Sequence, residues 1–275
     1  MKQAYNMVWL SPKFVSSDNQ NTTSFFEPIP THPLQSMMDA AQRNPSADVF
    51  LWIDSKRMTR EQMEWLQATV VSCPSGNFFL RDLRDIPRYC EEKLFNQPDD
   101  NLNWRQQKQS LIWAQVDTAR VLVVEECLRA GGYDNAAYAD ADVIDFDFQR
   151  PKIKKALEQY GVIIARQQKS SWVEHHMFAF NKSRLPELNA LLDSTLDWVY
   201  RKHQNGYRPF QDFIEPFLAG ITDNNPDACM LSCKFNPKAK AIEAGPGPTK
   251  QVTPDDSMLD RVQKRQPGDI GLPDF

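Results

Sequence analysis

The run Tyr138-Ala139-Asp140-Ala141-Asp142 sets two carboxylates two residues apart behind an aromatic ring. On an extended strand residues two apart share a face. Asp140 and Asp142 are therefore expected to point one way, with Tyr138 on their side and Ala139 and Ala141 opposite. Paired carboxylates at a strand end suit Mg²⁺ or Mn²⁺, which take oxygen ligands and fill their shells with water and phosphate oxygens. A bare Asp-x-Asp is also a common solvated strand end. A second feature gives this one weight: Asp117 and Arg120, three apart in the preceding helical run, share one helical face. Asp145 and Asp147 continue the acidic alternation out of step with Asp140 and Asp142. They are expected to be solvated or to cap the next helix rather than to act as ligands.

These residues need a frame. Apolar runs at 6–10, 47–54, 76–82, 136–146, 161–166 and 176–181 read as buried strands. Helical spacing is found over 31–44, 59–71, 104–132 and 185–204. The first of these helices is expected to begin near Pro33. Thr59 followed three residues later by Gln62 is a capping box, and Gly131-Gly132 is a helix stop. Alternating strands and helices predict an α/β fold with a parallel or mostly parallel sheet covered on both faces. Ligands of such sheets sit at the carboxyl ends of the strands. That is where Asp54 also falls, although a capping turn explains Asp54 equally well. The division expected is one domain over 1–240, with a helical acceptor-side region at about 185–220, and a proline-rich tail or lid over 241–275.

The 275 residues, 41% hydrophobic and 25% charged, are enough for a substantial core. A net charge of −4 argues against nucleic acid as a partner. No apolar run suggests a signal peptide or a membrane helix, so synthesis in a cytoplasm is expected. Secretion into a host cell by a route needing no signal peptide remains compatible with that. Cys73, Cys90, Cys127, Cys229 and Cys233 lack zinc-ligand spacing and read as reduced thiols.

Taken together, Asp117-x-x-Arg120, Gly131-Gly132 and Tyr138-x-Asp140-x-Asp142 resemble the nucleotide-sugar glycosyltransferases of the Asp-x-Asp type. The bacterial type III effectors that attach N-acetylglucosamine to arginine (the NleB/SseK family) look closer than the large clostridial glucosylating toxins. The resemblance extends patchily over about 6–190, through Trp9 in "VWL", "VFLWIDSKRMTREQMEWL", "LRDLRDI" and "EHHMFAFNKSRLPEL". It implies a GT-A fold, a Rossmann-like mixed sheet flanked by helices with an irregular C-terminal tail. It also implies a divalent cation, Mn²⁺ or Mg²⁺, and a UDP-sugar donor, UDP-glucose or UDP-N-acetylglucosamine.

By residue, the resemblance implies that Trp9 stacks on uracil, that Asp117 binds sugar hydroxyls and that Arg120 binds the sugar or phosphate. Asp142 is then the direct metal ligand, Asp140 a ribose or metal-water contact, and Tyr138 part of the donor site. Burial in the first strand is the plain alternative for Trp9, and core packing for Tyr138. Glu174 is the candidate general base or acceptor-positioning group. The family's His-Glu-Asn set is kept only at Glu174, with Ala165 and His175 in the other two places, and the adjacent His175 and His176 are not a metal pair. The family's Ser- and Trp-containing tail is replaced by one ending "GLPDF", leaving Asp255, Asp256 and Ser257 as candidate further ligands and "AGPGP" at 244–248 as a turn near the phosphates. A protein acceptor is expected; a glycan or lipid acceptor, or a catalytically silent relative that binds a partner protein, are the alternatives.

Overall fold

The computed structural model describes residues 1–11, 13–18, 21–26, 28–96, 111–144, 146–166, 173–202 and 229–230. The strands are β1 (Gln3–Trp9), β2 (Lys13–Asp18), β3 (Asn21–Phe26), β4 (Ala47–Ile53), β5 (Phe78–Asp82), β6 (Asn135–Ala139), β7 (Val162–Arg166), β8 (Val173–Asn181) and β9 (Cys229–Met230). The helices are α1 (Thr31–Arg43), α2 (Arg60–Val71), α3 (Pro87–Glu91), α4 (Lys93–Asn96), α5 (Leu111–Arg129), α6 (Pro151–Tyr160) and α7 (Leu185–Lys202). Strands β2 and β3 pair antiparallel by themselves, and the other strands form one sheet in the order β5-β4-β1-β6-β8-β7-β9.

The sheet is mixed rather than parallel throughout. Strands β5, β4, β1 and β6 run parallel, while β8 runs antiparallel to both β6 and β7. Connection length explains the reversal. A parallel crossover needs about a dozen residues or more, and only residues 167–172 separate β7 from β8. The β6-to-β7 connection is long enough to hold α6.

Strand parity divides the core into two layers. Ala4 and Val8 of β1, Phe50 and Trp52 of β4, Tyr138 of β6, and Phe178 and Phe180 of β8 pack with α5 and α7. Tyr5 and Met7, Leu51, Ala139 and Met177 face the other way, with α1, α2 and α6. Helix α5 lies between the sheet and α7 and is buried nearly all round, as its lack of a polar stripe requires. Asn6, fully buried in β1, ties the centre together. Its Nδ2 donates to the Ala137 carbonyl at 2.9 Å, and its Oδ1 accepts from Trp52 Nε1 at 2.8 Å and from the Cys127 thiol at 3.2 Å. Burial pushes that thiol up to about 12, against the lowering effect of the Asn6 bond, so Cys127 is an inert core group.

The local signals hold at their termini. Thr59 Oγ1 accepts from the Gln62 amide at 3.2 Å, and Gln62 Oε1 accepts from the Thr59 amide at 2.8 Å, a complete capping box. Helix α5 stops on Gly132, at φ 70°, with the Tyr133 amide donating back to the Cys127 carbonyl at 3.3 Å. Gly131 is required by space. A Cβ there would stand 2.8 Å from the Cys127 carbonyl oxygen and 2.8 Å from the Tyr133 ring. Gly131→Ala is therefore expected to lower stability by about 2 kcal/mol. In a thermal melt that is a drop of roughly 4–8 °C for a chain of this size.

Helix α6 and the β2–β3 pair stand outside the expected strands and helices. Helix α6 exposes most of its Lys- and Glu-rich surface and buries only Ile153, Ala156 and Leu157. Its signals are in the sequence all the same: Ile153, Ala156, Leu157 and Tyr160 at helical spacing, Pro151 at the start and Gly161, at φ 70°, as the cap. The proline-rich tail, residues 104–110 of the expected long helix, Cys233, Asp145, and the candidates Asp255, Asp256 and Ser257 lie outside the described residues.

Candidate functional site

The carboxylate strand ends at Ala139, three residues short of Asp142. Pairing of β6 with β1 stops at Tyr138, and pairing with β8 stops at Ala139. Without ladder partners the chain turns. Asp140 keeps one bond from its amide to the His176 carbonyl at 2.8 Å, and its own carbonyl accepts from the Val143 amide at 3.0 Å. Asp140 and Asp142 thus belong to a turn at the carboxyl end of the sheet, and the shared-face expectation does not apply to them. The chain after the turn is held down by Phe146 and Phe148, both buried, with Phe146 against Tyr5 at 5.4 Å. Asp147 lies between them and accepts from the Gln149 amide at 2.7 Å, a turn just ahead of α6.

The helix residues meet this turn. Tyr138 faces α5, and the chain turns just beyond it, so Asp140 lies within reach of the same helix. Arg120 of α5 reaches Asp140 Oδ1 through Nη2 at 3.0 Å and Asp117 Oδ1 through Nη1 at 3.4 Å. Its guanidinium lies 5.3 Å from the centre of the Tyr138 ring. That ring stacks on Phe178 at 5.5 Å, and its hydroxyl donates to Asp140 Oδ1 at 2.5 Å. At 1% exposure Tyr138 is core. That is the core-packing alternative for Tyr138, and from there its hydroxyl supports Asp140. Asp142 is itself buried, at 5% exposure.

The other candidates reach the same end of the sheet by different routes. Trp9 closes β1 on the opposite parity, packs partly buried with the α1 layer, and donates from Nε1 to Ser11 Oγ at 3.1 Å. The main chain of Glu174 pairs with Ala165 across β7 and β8, two residues from His176, whose carbonyl holds Asp140. The Glu174 side chain is outside what is described.

A buried polar network beside the site has no counterpart in the sequence argument. Asp54, 1% exposed at the exit of β4, accepts from Arg84 Nε at 2.8 Å and Nη2 at 2.6 Å, from Tyr89 Oη at 2.9 Å and from the Lys56 amide at 3.0 Å. The last is the capping turn the sequence allowed. Burial works to raise the Asp54 carboxyl, but the Arg84 bonds and charge, with Tyr89 and the Lys56 amide, more than offset it and hold it below its ordinary value. Burial pushes the Tyr89 phenol well up, with the Asp54 charge adding to it, so Tyr89 stays a donor. The signal in the sequence was only the basic residues Arg57 and Arg84 close after strand-end acids. Nothing in spacing says that they fold back on Asp54.

Mg²⁺ and Mn²⁺ sites use one or two carboxylates, completed by phosphate oxygens and water. Asp142 and Asp140 match that donor set. Among the described residues no group of three His, Cys, Asp or Glu side chains forms that could hold an ion by itself. Among the described residues, too, no helix is long and apolar enough to cross a membrane.

No protein-family model and no curated protein matches the chain. Likeness is found among solved structures. The PaToxG glycosyltransferase superposes with a TM-score of 0.50 at 16% identity, over 81% of this chain and 68% of that one. A structure described as a transferase gives 0.49 at 15% identity, over 81% and 85%. The glycosyltransferase GlyE of Streptococcus pneumoniae TIGR4 gives 0.41 at 10%, over 83% and 44%. The first overlap is the one that bears weight, and at this identity it speaks for the fold. The chain is a mixed α/β protein with the architecture of a solved glycosyltransferase.

Proposed function

We propose that this chain is a glycosyltransferase that binds a UDP-sugar with a divalent cation and passes the sugar, glucose or N-acetylglucosamine, to a protein side chain. The observation that carries the reading is the junction of Asp117 and Arg120 on α5 with the Asp140–Asp142 turn at the carboxyl end of the sheet. The glycosyltransferase-like fold supports it. Arg120 and Tyr138 both meet Asp140 Oδ1, so Asp140 is fixed in orientation and would meet ribose or a metal-bound water through its other oxygen. Asp142 would be the direct ligand. A bound cation would neutralise charge developing on the departing diphosphate. Asp117 would orient sugar hydroxyls, Arg120 would face the sugar or phosphate, and Trp9 would lie under the base. Glu174 would hold or deprotonate the acceptor.

The test is UDP release from UDP-glucose and from UDP-N-acetylglucosamine, with Mn²⁺ and with chelator, alongside calorimetry of donor binding. Metal-dependent release supports the reading. No donor binding in either condition would sink it. Tyr138→Phe sharpens the assignment of Asp140. Loss of one hydroxyl leaves the Phe178 stack in place and is expected to lower kcat by about tenfold, read by steady-state UDP release, with the melting temperature little changed.

A further inference from the structure

We infer that Arg57 is a positioning residue of the donor site: through Gln115 it sets where the Asp117–Arg120 pair stands relative to Trp9. The inference rests on the glycosyltransferase reading and concerns residues that reading does not use.

Arg57 closes the three-residue turn after β4 and is 6% exposed. A buried guanidinium is costly unless its donors are met. Its Nη2 donates to Gln115 Oε1 at 2.6 Å, its Nη1 faces the Ser11 carbonyl at 3.5 Å, and its Nε lies 3.7 Å from Asp54 Oδ2. Each contact belongs to a different part of the site. Ser11 follows β1 and receives the Trp9 indole N–H on its hydroxyl. Gln115 is fully buried on α5, two residues before Asp117. Asp54 anchors the exit of β4.

The Gln115 amide has one possible orientation. A guanidinium only donates and a carbonyl only accepts. Oε1 must therefore face Arg57, while Nε2 donates to the Leu94 carbonyl of α4 at 2.8 Å. The helix that carries Asp117 and Arg120 is gripped mostly by apolar packing, which resists separation but is weakly directional; its polar ties include Arg120 to Asp140 at 3.0 Å and Cys127 to Asn6 at 3.2 Å. The Arg57–Gln115–Leu94 chain adds a directional restraint at the N-terminal part of α5, two residues before Asp117. Arg57 is also the group that joins this restraint to the β1 exit. The base-side and sugar-side residues come from segments about one hundred residues apart in sequence. Their spacing matters, because misplacement by about 1 Å costs about 10²-fold in rate.

The experiment uses the full chain and whichever UDP-sugar the wild type turns over. Arg57→Met, Gln115→Leu and the double variant are compared by steady-state UDP release, with folding checked by circular dichroism and thermal melt. Arg57→Lys is a milder variant should Arg57→Met fold poorly. The expected result is a fall in kcat per folded molecule of about 10- to 100-fold in each single variant. Donor KM should rise as well, because the residues displaced relative to one another, Trp9 and the Asp117–Arg120 pair, are themselves the proposed donor contacts. The double variant should be no worse than the poorer single, since both act through one bond. Folded variants that melt lower but keep wild-type kcat would overturn the inference, and so would losses that multiply in the double variant. A wild type that turns over no donor overturns the glycosyltransferase reading and this inference with it; an active wild type with unaffected variants overturns only the inference.

Discussion

Asp142→Asn is expected to lower metal-dependent UDP release by about 10³-fold while leaving the fold intact. The size follows from what the carboxylate would do. Asp142 sits buried in the turn after β6, and the neighbouring acid, Asp140, already has Oδ1 engaged by Arg120 and Tyr138. Asn keeps the shape of the turn but brings a neutral oxygen to a hard cation that prefers anionic ones. Metal affinity and stabilisation of the leaving diphosphate should both fall. The fall should be partly recovered by raising Mn²⁺ into the millimolar range, because the lost interaction is first one of affinity. A variant that releases UDP at the wild-type rate at low metal would remove Asp142 from the site.

Asp54→Asn should have the largest effect on stability, a loss of about 3 kcal/mol at neutral pH. The carboxylate is wholly buried and takes two bonds from Arg84 and one from Tyr89, with Arg57 near. Removing its charge strands cations placed to face it, and breaking a buried pair costs more than the pair contributes on balance. The effect carries a pH signature. The folded carboxyl is held below its ordinary value of 3.8, through Arg84 above all, despite the opposing effect of burial. The ionised Asp54 therefore stabilises the fold fully above that value and loses its contribution as pH falls through the lowered folded value. Urea unfolding at a series of pH values should show a wild type to Asp54→Asn gap that is constant near neutrality and narrows below about pH 4. A gap that widens on acidification would contradict the network.

The sequence carried the helical part of the site well, because a helix has a fixed period. Asp117 and Arg120, three apart, meet on one face as spacing requires, and the Thr59–Gln62 box and the Gly131-Gly132 stop stand where their types placed them. It carried the acidic turn less well. Alternation was read through Asp140 and Asp142 as though the strand continued, but a strand lasts only as far as its neighbours. Those partners end at Tyr138 on β1 and Ala139 on β8. Tyr138 shows the same limit. Its place beside the acids was legible, but its sealing between Phe178 and Arg120 was not.

By itself the sequence determined which residue types stand at strand exits and helix faces, since capping, periodicity and stop signals act over a few residues. The tertiary structure decided which of them meet. Strand parity put Tyr138 on the α5 side and Trp9 on the other. A short connection turned β8 antiparallel and brought His176 to Asp140. Burial gathered Arg57, Arg84, Tyr89 and Gln115 around the exit of β4. A buried cation must find its partners wherever the chain brings them, and that condition is set by the whole fold rather than by spacing along the chain.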